Sequence, residues 1–186
     1  MTIKLIDIIV HPDFFAMTAP YSPLHERQLV VREKWEERFN MLEKRKDALL
    51  LYFSDMTWSK INQGLKDSSS TSNKIELDEI ERIKRCKAKL GKRFILFGWF
   101  EIPDSKDLTE MFATRGFTYI PQETKVHASG EILEVCVFGW GNNTASVLGI
   151  PNSNIEFSRE ESLTNDDCGE ILNWRVNKMV NLFMAS

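Results

Sequence analysis

The stretch IKLIDIIVHP, residues 3–12, decides the fold class of this chain. Residues 3–10 form a short, largely apolar run that contains several β-branched side chains, and Pro12 stops it. A run of this length is typical of a strand, whereas a helix needs about ten residues or more. The pattern therefore predicts a buried first strand, and the rest of the chain is interpreted outward from it.

Further apolar runs of similar length follow along the chain. Each is bounded by polar residues, glycine or proline, as strands of a buried sheet are. The predicted strands after the first are Ala48–Phe53, Arg93–Trp99, Ile132–Phe138 and Asn154–Phe157, with weaker candidates at Phe117–Ile120 and Lys125–Ala128.

Helical patterns lie between these runs. Ser22 is a good helix cap, Pro23 suits the first position of a helix, and apolar residues recur after them at helical spacing. Gly91 and Gly116 are suited to end two later helices. The predicted helices begin at Ser22, span residues 77–90, follow a cap at Asp104, span residues 142–148, and follow a cap at Asp166 or Asp167, the last carrying Leu172, Val176, Met179 and Phe183.

Strands that alternate with helices predict an α/β fold. We expect a three-layer sandwich with a mostly parallel sheet of five or six strands and helices on both faces, of the Rossmann-like type. The length of 186 residues fits a single domain over residues 1–186. Within it, the serine-rich residues 64–74 are expected to form a mobile loop.

The composition is typical of a soluble globular protein, with 42% hydrophobic residues, 27% charged residues and a formal net charge of -3. This charge gives no general attraction to nucleic acid or to an anionic membrane. No apolar run approaches the roughly 20 residues that a membrane-spanning helix needs. Residues 1–10 contain a lysine and an aspartate and lack a small-residue cleavage site, which favours a core strand over a signal peptide. We therefore expect a cytoplasmic protein.

Two further features of the composition favour ordinary structural roles. Cys86, Cys136 and Cys168 are far apart and form no C-x-x-C pair, which is typical of a reduced intracellular protein and predicts no zinc site. Residues 81–93 are locally basic, and we interpret them as the solvated face and end of a helix rather than as a surface that binds phosphate.

Polar side chains follow several predicted strands, and ligands in open α/β sheets bind outside the carboxyl ends of the strands. We therefore take His11, Asp13 and Asp55 as candidate catalytic residues. An imidazole beside a carboxylate can act as a general acid or base, with Asp13 or Asp55 orienting it or binding a metal. The alternative is that Asp13 caps a local turn and His11 packs against a neighbour. Glu101 and Arg159 follow later predicted strands and are candidate ligand-binding residues.

The sequence GWGNNTA contributes four more candidate ligand-binding residues, Gly139, Gly141, Asn142 and Asn143. Two glycines between a predicted strand and a predicted helix resemble part of the G-x-G-x-x-G dinucleotide fingerprint, whose backbone N–H groups can hold an anion. Thr144 stands where the third small residue of that fingerprint belongs. The alternative is a glycine turn in which an asparagine caps the helix. The sequence identifies no cofactor.

The segment GEILEVCVFGWGNNTASVLGI resembles the strand and cysteine region of isochorismatase-like hydrolases. The resemblance implies an α/β sandwich whose members use an aspartate, a lysine and a cysteine. In that family the nucleophile lies at the start of the helix, whereas Cys136 is predicted to lie inside the apolar strand. A thiol buried in a strand is inert packing, and Cys136 is therefore left out of the candidate site.

These patterns leave open whether the chain is an enzyme. One hypothesis is a small-molecule-binding enzyme, a hydrolase or transferase acting on a small polar or phosphorylated ligand at the carboxyl ends of the strands. The alternative is a non-catalytic homo-oligomeric interaction protein such as a homodimer, because five tryptophans and twelve phenylalanines are many for this length.

Overall fold

The structure is a computed structural model that describes residues 1–13, 26–67, 73–99, 101, 103–167 and 169. Its strands are short, and those of the main sheet are mostly buried on both faces, as the first apolar run predicted. The strands are β1 (Thr2–Ile3), β2 (Leu5–Val10), β3 (Ala48–Phe53), β4 (Phe94–Phe97), β5 (Thr118–Tyr119), β6 (Lys125–Gly130) and β7 (Ile155–Ser162).

The main sheet has five parallel strands in the order β4-β3-β2-β6-β7, while β1 and β5 form a separate parallel pair. From β2 the chain moves outward through β3 and β4, and it then returns to the other side of β2 to form β6 and β7. The strand order therefore reverses between β2 and β6, which is the position where doubly wound sheets bind their ligands.

Helices cover both faces of the sheet. The helices are α1 (Glu26–Lys44), α2 (Trp58–Lys66), α3 (Lys74–Leu90), α4 (Ser105–Thr114) and α5 (Phe138–Val147), with a π-helical turn at Leu133–Val137 and 3-10 turns at Gly91–Arg93 and Asn152–Asn154.

Two apolar clusters separate the three layers. On one face α1, α2 and α3 pack against alternate residues of β2 and β3, such as Ile9 and Leu50. On the other face α4 and α5 pack against the intervening residues, such as Ile8 and Leu51. This arrangement confirms the predicted three-layer α/β sandwich with a parallel sheet.

Two predicted helix boundaries are confirmed and a third is corrected. The side chain of Asp104 accepts a hydrogen bond from the Asp107 N–H at the start of α4, as predicted. Helix α3 begins at Lys74, before the predicted start at residue 77, and the side chain of Asn73 caps it by accepting a hydrogen bond from the Ile75 N–H. Gly91 follows α3 with a φ of 56°, a conformation that favours glycine. The Ser22 cap and the apolar side chains of the last predicted helix lie outside the described residues.

The strand predicted at residues 132–138 is wrong. This segment forms the π-helical turn and the first residue of α5, and its apolar side chains Leu133 and Val137 belong to the core on that face of the sheet. The strand that pairs with β2 on this side of the sheet is instead β6, one of the two weaker candidates. An apolar run of seven residues fits a strand and a buried helical turn equally well, because periodicity does not separate the two at this length.

The predicted loop at residues 64–74 begins too early. Helix α2 was not predicted, and it continues through Gly64 to Lys66 because Gly64 lies against Ile80 of α3, where a larger residue would collide. Residues 68–72 lie outside the described part of the chain. In the described part, no helix combines the length and the apolar character that crossing a membrane requires.

Candidate functional site

The backbones of β2 and β6 approach each other closely at the point where the strand order reverses. The Glu131 N–H donates a hydrogen bond of 2.9 Å to the Val10 carbonyl oxygen, so β2 and β6 stay in contact at their carboxyl ends. Gly130 has a φ of 143°, and an added Cβ would collide with that same carbonyl oxygen. Only glycine fits here, and the side chains that follow Val10 and Gly130 are thereby brought to one edge.

His11 and Asp55 come together at this edge, in agreement with the expectation that the carboxyl ends of β2 and β3 meet. His11 Nδ1 lies 3.3 Å from Asp55 Oδ1, and both side chains are almost completely buried. The rings of Trp99 and Trp140 lie beside the imidazole, with centroids at 5.1 and 6.3 Å. His11 also has a φ of 48°, a conformation that is uncommon outside glycine and clusters at functional sites.

Burial keeps both members of this pair uncharged. Desolvation lowers the pKa of His11 to about 4, partly opposed by a hydrogen bond with the backbone of Ser54. Desolvation and the charge of Asp13 raise the pKa of Asp55 well above its usual range. An ionised carboxylate 3.3 Å away would raise the pKa of the imidazole. The lowered pKa of His11 and the raised pKa of Asp55 therefore agree with each other only if Asp55 holds a proton.

Asp13 has a different environment from Asp55. Its carboxylate is fully buried, Oδ1 pairs with Arg32, and Oδ2 lies 2.7 Å from Arg82 Nη1. Its backbone N–H donates a hydrogen bond of 2.7 Å to Asp55 Oδ2. Because both of its carboxylate oxygens are bound by guanidiniums, Asp13 contributes to the site by holding Asp55 and joining it to α1 and α3.

Glu79 and Arg82 of α3 were missed from the sequence. Glu79 is fully buried and its Oε1 accepts a hydrogen bond of 2.7 Å from the Ser54 hydroxyl. Both residues lie on the apolar face of α3 with Ile80 and Ile83. The signal that would have identified them is their spacing, because both charged residues occupy positions where the helical pattern expects apolar side chains.

Glu101 follows β4 in the chain and contacts the start of α2. Its carboxylate accepts hydrogen bonds of 2.6 Å from Trp58 Nε1 and 2.9 Å from the Gly98 N–H, which tie β4 to the start of α2. It also lines a surface cavity of about 670 Å³ together with Asp107 and Arg115. Glu101 is therefore a lining residue of this neighbouring cavity and is not a member of the His11–Asp55 pair.

Gly139, Gly141, Asn142 and Asn143 lie inside α5 and not in a loop. Their backbone N–H groups thus belong to a helical segment, which removes the reason for expecting an anion there. Asn142 is exposed, and the Asn143 side chain donates a hydrogen bond of 3.5 Å to the Pro103 carbonyl oxygen.

Arg159 lies within β7, near its end, and its side chain is exposed. Its backbone carbonyl oxygen accepts a hydrogen bond of 2.9 Å from Arg27 Nη2 of α1. The prediction placed this residue after its strand, but β7 continues to Ser162.

Cys136 lies in the π-helical turn before α5, half-buried, so the reason for leaving it out of the site is wrong. Burial and the charges of Asp55 and Glu131 raise the pKa of its thiol. Because the thiolate is the reactive form, Cys136 is held in its unreactive state by the same carboxyl-rich surroundings. The adjoining Ile132 has a φ of 60°, a second unusual backbone conformation at this edge.

The described His, Cys, Asp and Glu side chains form no group of three or more that could hold a metal ion. No protein-family model, curated protein or solved structure matches this chain. Functional inference therefore depends on the geometry of the edge.

Proposed function

We propose that the protein is a small-molecule-binding enzyme, a hydrolase or transferase, whose site lies at the carboxyl ends of β2 and β3. The supporting observation is the buried His11–Asp55 pair, with Nδ1 and Oδ1 3.3 Å apart, beside the point where the strand order reverses. The left-handed backbone of His11 adds support, because such a conformation persists only where the surroundings impose it.

In this proposal His11 transfers the proton. Its uncharged imidazole removes a proton from water or from a substrate hydroxyl as the oxygen attacks an electrophilic carbon. The bond to the leaving group then breaks, and the imidazolium returns the proton to that group. Asp55 fixes the orientation of the ring, while Trp99 and Trp140 limit its access to bulk water.

The surrounding charges favour an uncharged polar ligand over a phosphorylated one. Among the described residues, the guanidiniums of Arg32 and Arg82 reach this edge, and both bind Asp13. Because Asp13 engages both guanidiniums, they offer little attraction to a phosphate, and Glu131 adds a carboxyl group near the same turn. The glycines expected to bind phosphate lie in α5.

Two chromogenic probes test the proposal, p-nitrophenyl acetate as the uncharged ester and p-nitrophenyl phosphate as the anion. We expect the wild type to hydrolyse the acetate faster, and His11→Gln to lose about 100-fold in kcat/KM, the usual contribution of one acid–base group. His127→Gln is the matched control, because His127 is equally buried but lies in the middle of β6.

Three outcomes of this assay contradict the proposal. They are failure of the wild type to hydrolyse either probe, retention of full activity by His11→Gln, and equal losses in the two histidine variants. Faster turnover of the phosphate would overturn the charge argument alone.

The alternative of a non-catalytic homo-oligomer remains a prediction from the aromatic content. The mass in solution, measured by light scattering, tests it: a dimer supports this alternative, and a monomer contradicts it.

A further inference from the structure

The buried charges around Asp55 do not balance. Three carboxyl groups, of Asp13, Asp55 and Glu79, meet the guanidiniums of Arg32 and Arg82. If all five were ionised, the cluster would carry one excess negative charge among side chains that are mostly buried. A buried uncompensated charge costs several kcal/mol, and one bound proton makes this cluster neutral.

The geometry indicates where that proton lies. Both guanidiniums contact Asp13, so neither bonds directly to Asp55 or Glu79. Glu79 Oε1 lies 3.4 Å from the Asp55 N–H and accepts from the Ser54 hydroxyl at 2.7 Å. The other oxygens, Glu79 Oε2 and Asp55 Oδ1, are buried without a hydrogen-bond partner, and a buried polar atom of this kind requires an explanation.

We propose that Asp55 and Glu79 share one proton, and that Glu79 is thereby a positioning residue that keeps His11 an uncharged imidazole. This inference deepens the proposed function, because His11 is the proton-transferring group there. Glu79 acts through Asp55: with Glu79 ionised and accepting from the Ser54 hydroxyl, the shared proton lies on Asp55, which then presents no net charge to the ring 3.3 Å away.

The other groups around the pair fit this assignment. Desolvation raises the pKa of both carboxyls well above the usual range, and each is also raised by the charge of Asp13. Two such neighbours titrate as a pair rather than singly. The groups that face the pair are His11 and Asp13 after β2, Arg32 of α1, Arg82 of α3, Tyr52 of β3 and Cys136 of the π-helical turn.

Glu79→Gln tests the proposal, because it keeps the shape of the side chain and an oxygen for the Ser54 hydroxyl. With Glu79 uncharged, Asp13 and Asp55 balance the two guanidiniums, so Asp55 ionises. An ionised carboxylate beside His11 then raises the pKa of the ring by about 1–3 pH units from its starting value of about 4.

The measurement is an NMR titration of the histidine ring protons, which is simple because the chain has three histidines. His11→Gln identifies the His11 signal. Glu81→Gln is the matched control, since it removes one carboxylate from the exposed face of the same helix, and it should leave the pKa of His11 unchanged. Adding Asp55→Asn to Glu79→Gln should cancel the rise.

An unchanged pKa of His11 in Glu79→Gln overturns the proposal. If that variant does not fold, the infrared spectrum of the wild type at pH 7 decides: a protonated carboxyl band that Asp55→Asn removes supports the shared proton, and its absence contradicts it. Neither measurement requires turnover, so failure here is distinct from failure of the proposed enzyme activity.

Discussion

Two buried histidine–carboxylate pairs are present among the described residues, one at the edge of the sheet and one inside it. At the edge, His11 lies beside Asp55. Inside the sheet, His127 of β6 stands directly opposite Asp7 of β2, with Nδ1 3.6 Å from Asp7 Oδ2. The residue types are the same, so the difference between the pairs comes from their neighbours.

In the interior pair a guanidinium binds the aspartate directly, whereas at the edge the guanidiniums bind Asp13 and not Asp55. Arg38 Nε lies 2.5 Å from Asp7 Oδ2, and His127 Nε2 lies 3.3 Å from Glu161 Oε2. At the edge, the backbone N of Asp55 lies 3.4 Å from Glu79 Oε1, and the nearby guanidiniums bind Asp13. A compensated pair stabilises the fold, while an uncompensated pair holds a proton that chemistry can use.

The backbone shows the same contrast. His127 occupies a regular strand position between β2 and β7. His11 stands just beyond its strand with a φ of 48°, where the ring leaves the sheet and meets the tryptophans. The edge therefore combines an unusual backbone conformation with an aspartate that no guanidinium binds, whereas the interior pair has a regular backbone and an aspartate bound by Arg38.

Matched aspartate variants give the largest expected effect. Asp7→Asn leaves the Arg38 guanidinium, which is 19% exposed, without its anion, and should lower the free energy of unfolding by about 3–5 kcal/mol. Asp55→Asn replaces a carboxyl group that already holds a proton, so we expect a change below about 1 kcal/mol. Urea denaturation at pH 7 measures both, and similar losses in the two variants would remove the distinction between the pairs.

The pH dependence of stability tests the edge pair separately. The pKa of His11 is lowered from 6.5 to about 4 in the folded protein, so the unfolded chain binds more protons between these values. Stability is then full above pH 6.5 and falls as the pH drops towards 4, by about 3 kcal/mol from this group.

His11→Gln should remove that part of the acid sensitivity, measured by urea denaturation from pH 7 to 4. The raised pKa values of Asp55 and Glu79 act in the opposite sense, since a carboxyl that keeps its proton when folded favours the folded state as the pH falls. Both carboxyls remain in the variant, so the difference from the wild type isolates His11. Equal pH dependence of the two proteins would show that His11 titrates normally.

The sequence was sufficient for β2, β3 and β4 because each is a short apolar run with polar residues or glycine after it, whereas the similar run at residues 132–138 forms a helical turn. The strand predicted at Ala48–Phe53 matches β3 residue for residue. The meeting of His11 with Asp55 followed from one topological rule, that carboxyl ends of parallel strands share an edge.

The sequence was misleading where polar side chains are buried. Strand β6, which lies between β2 and β7, reads KVHASG, and its polar His127 and Ser129 made it a weak candidate although both are buried. Glu79 looked like an ordinary charged residue of a helix for the same reason. Partners that are distant in the sequence, such as Asp7 for His127 and Ser54 for Glu79, explain why these polar side chains are buried. A local sequence pattern does not contain such partners.

The assignment of residues 138–147 to α5 was the other surprise, and two glycines in it give a matched test with the smallest expected effect. At Gly141 an added Cβ would lie 2.6 Å from Phe157 and 3.2 Å from Ala128, because the helix packs closely on the sheet. At Gly139 an added Cβ meets nothing within 4 Å. The two positions lie in the same helix and differ in burial.

Gly141→Ala should therefore cost about 2 kcal/mol through overpacking, whereas Gly139→Ala should stabilise the protein by up to about 1 kcal/mol, since alanine is the better helix former. Thermal and urea denaturation measure both. Trp140, whose ring lies 6.3 Å from His11, is carried by this helix, so Gly141→Ala should also shift the His11 ring signals while leaving those of His127 in place. Destabilisation by both alanines would indicate a glycine loop instead of a helix. No helix would then hold Trp140 beside His11, and the edge pair would lose a feature that distinguishes it from the interior pair.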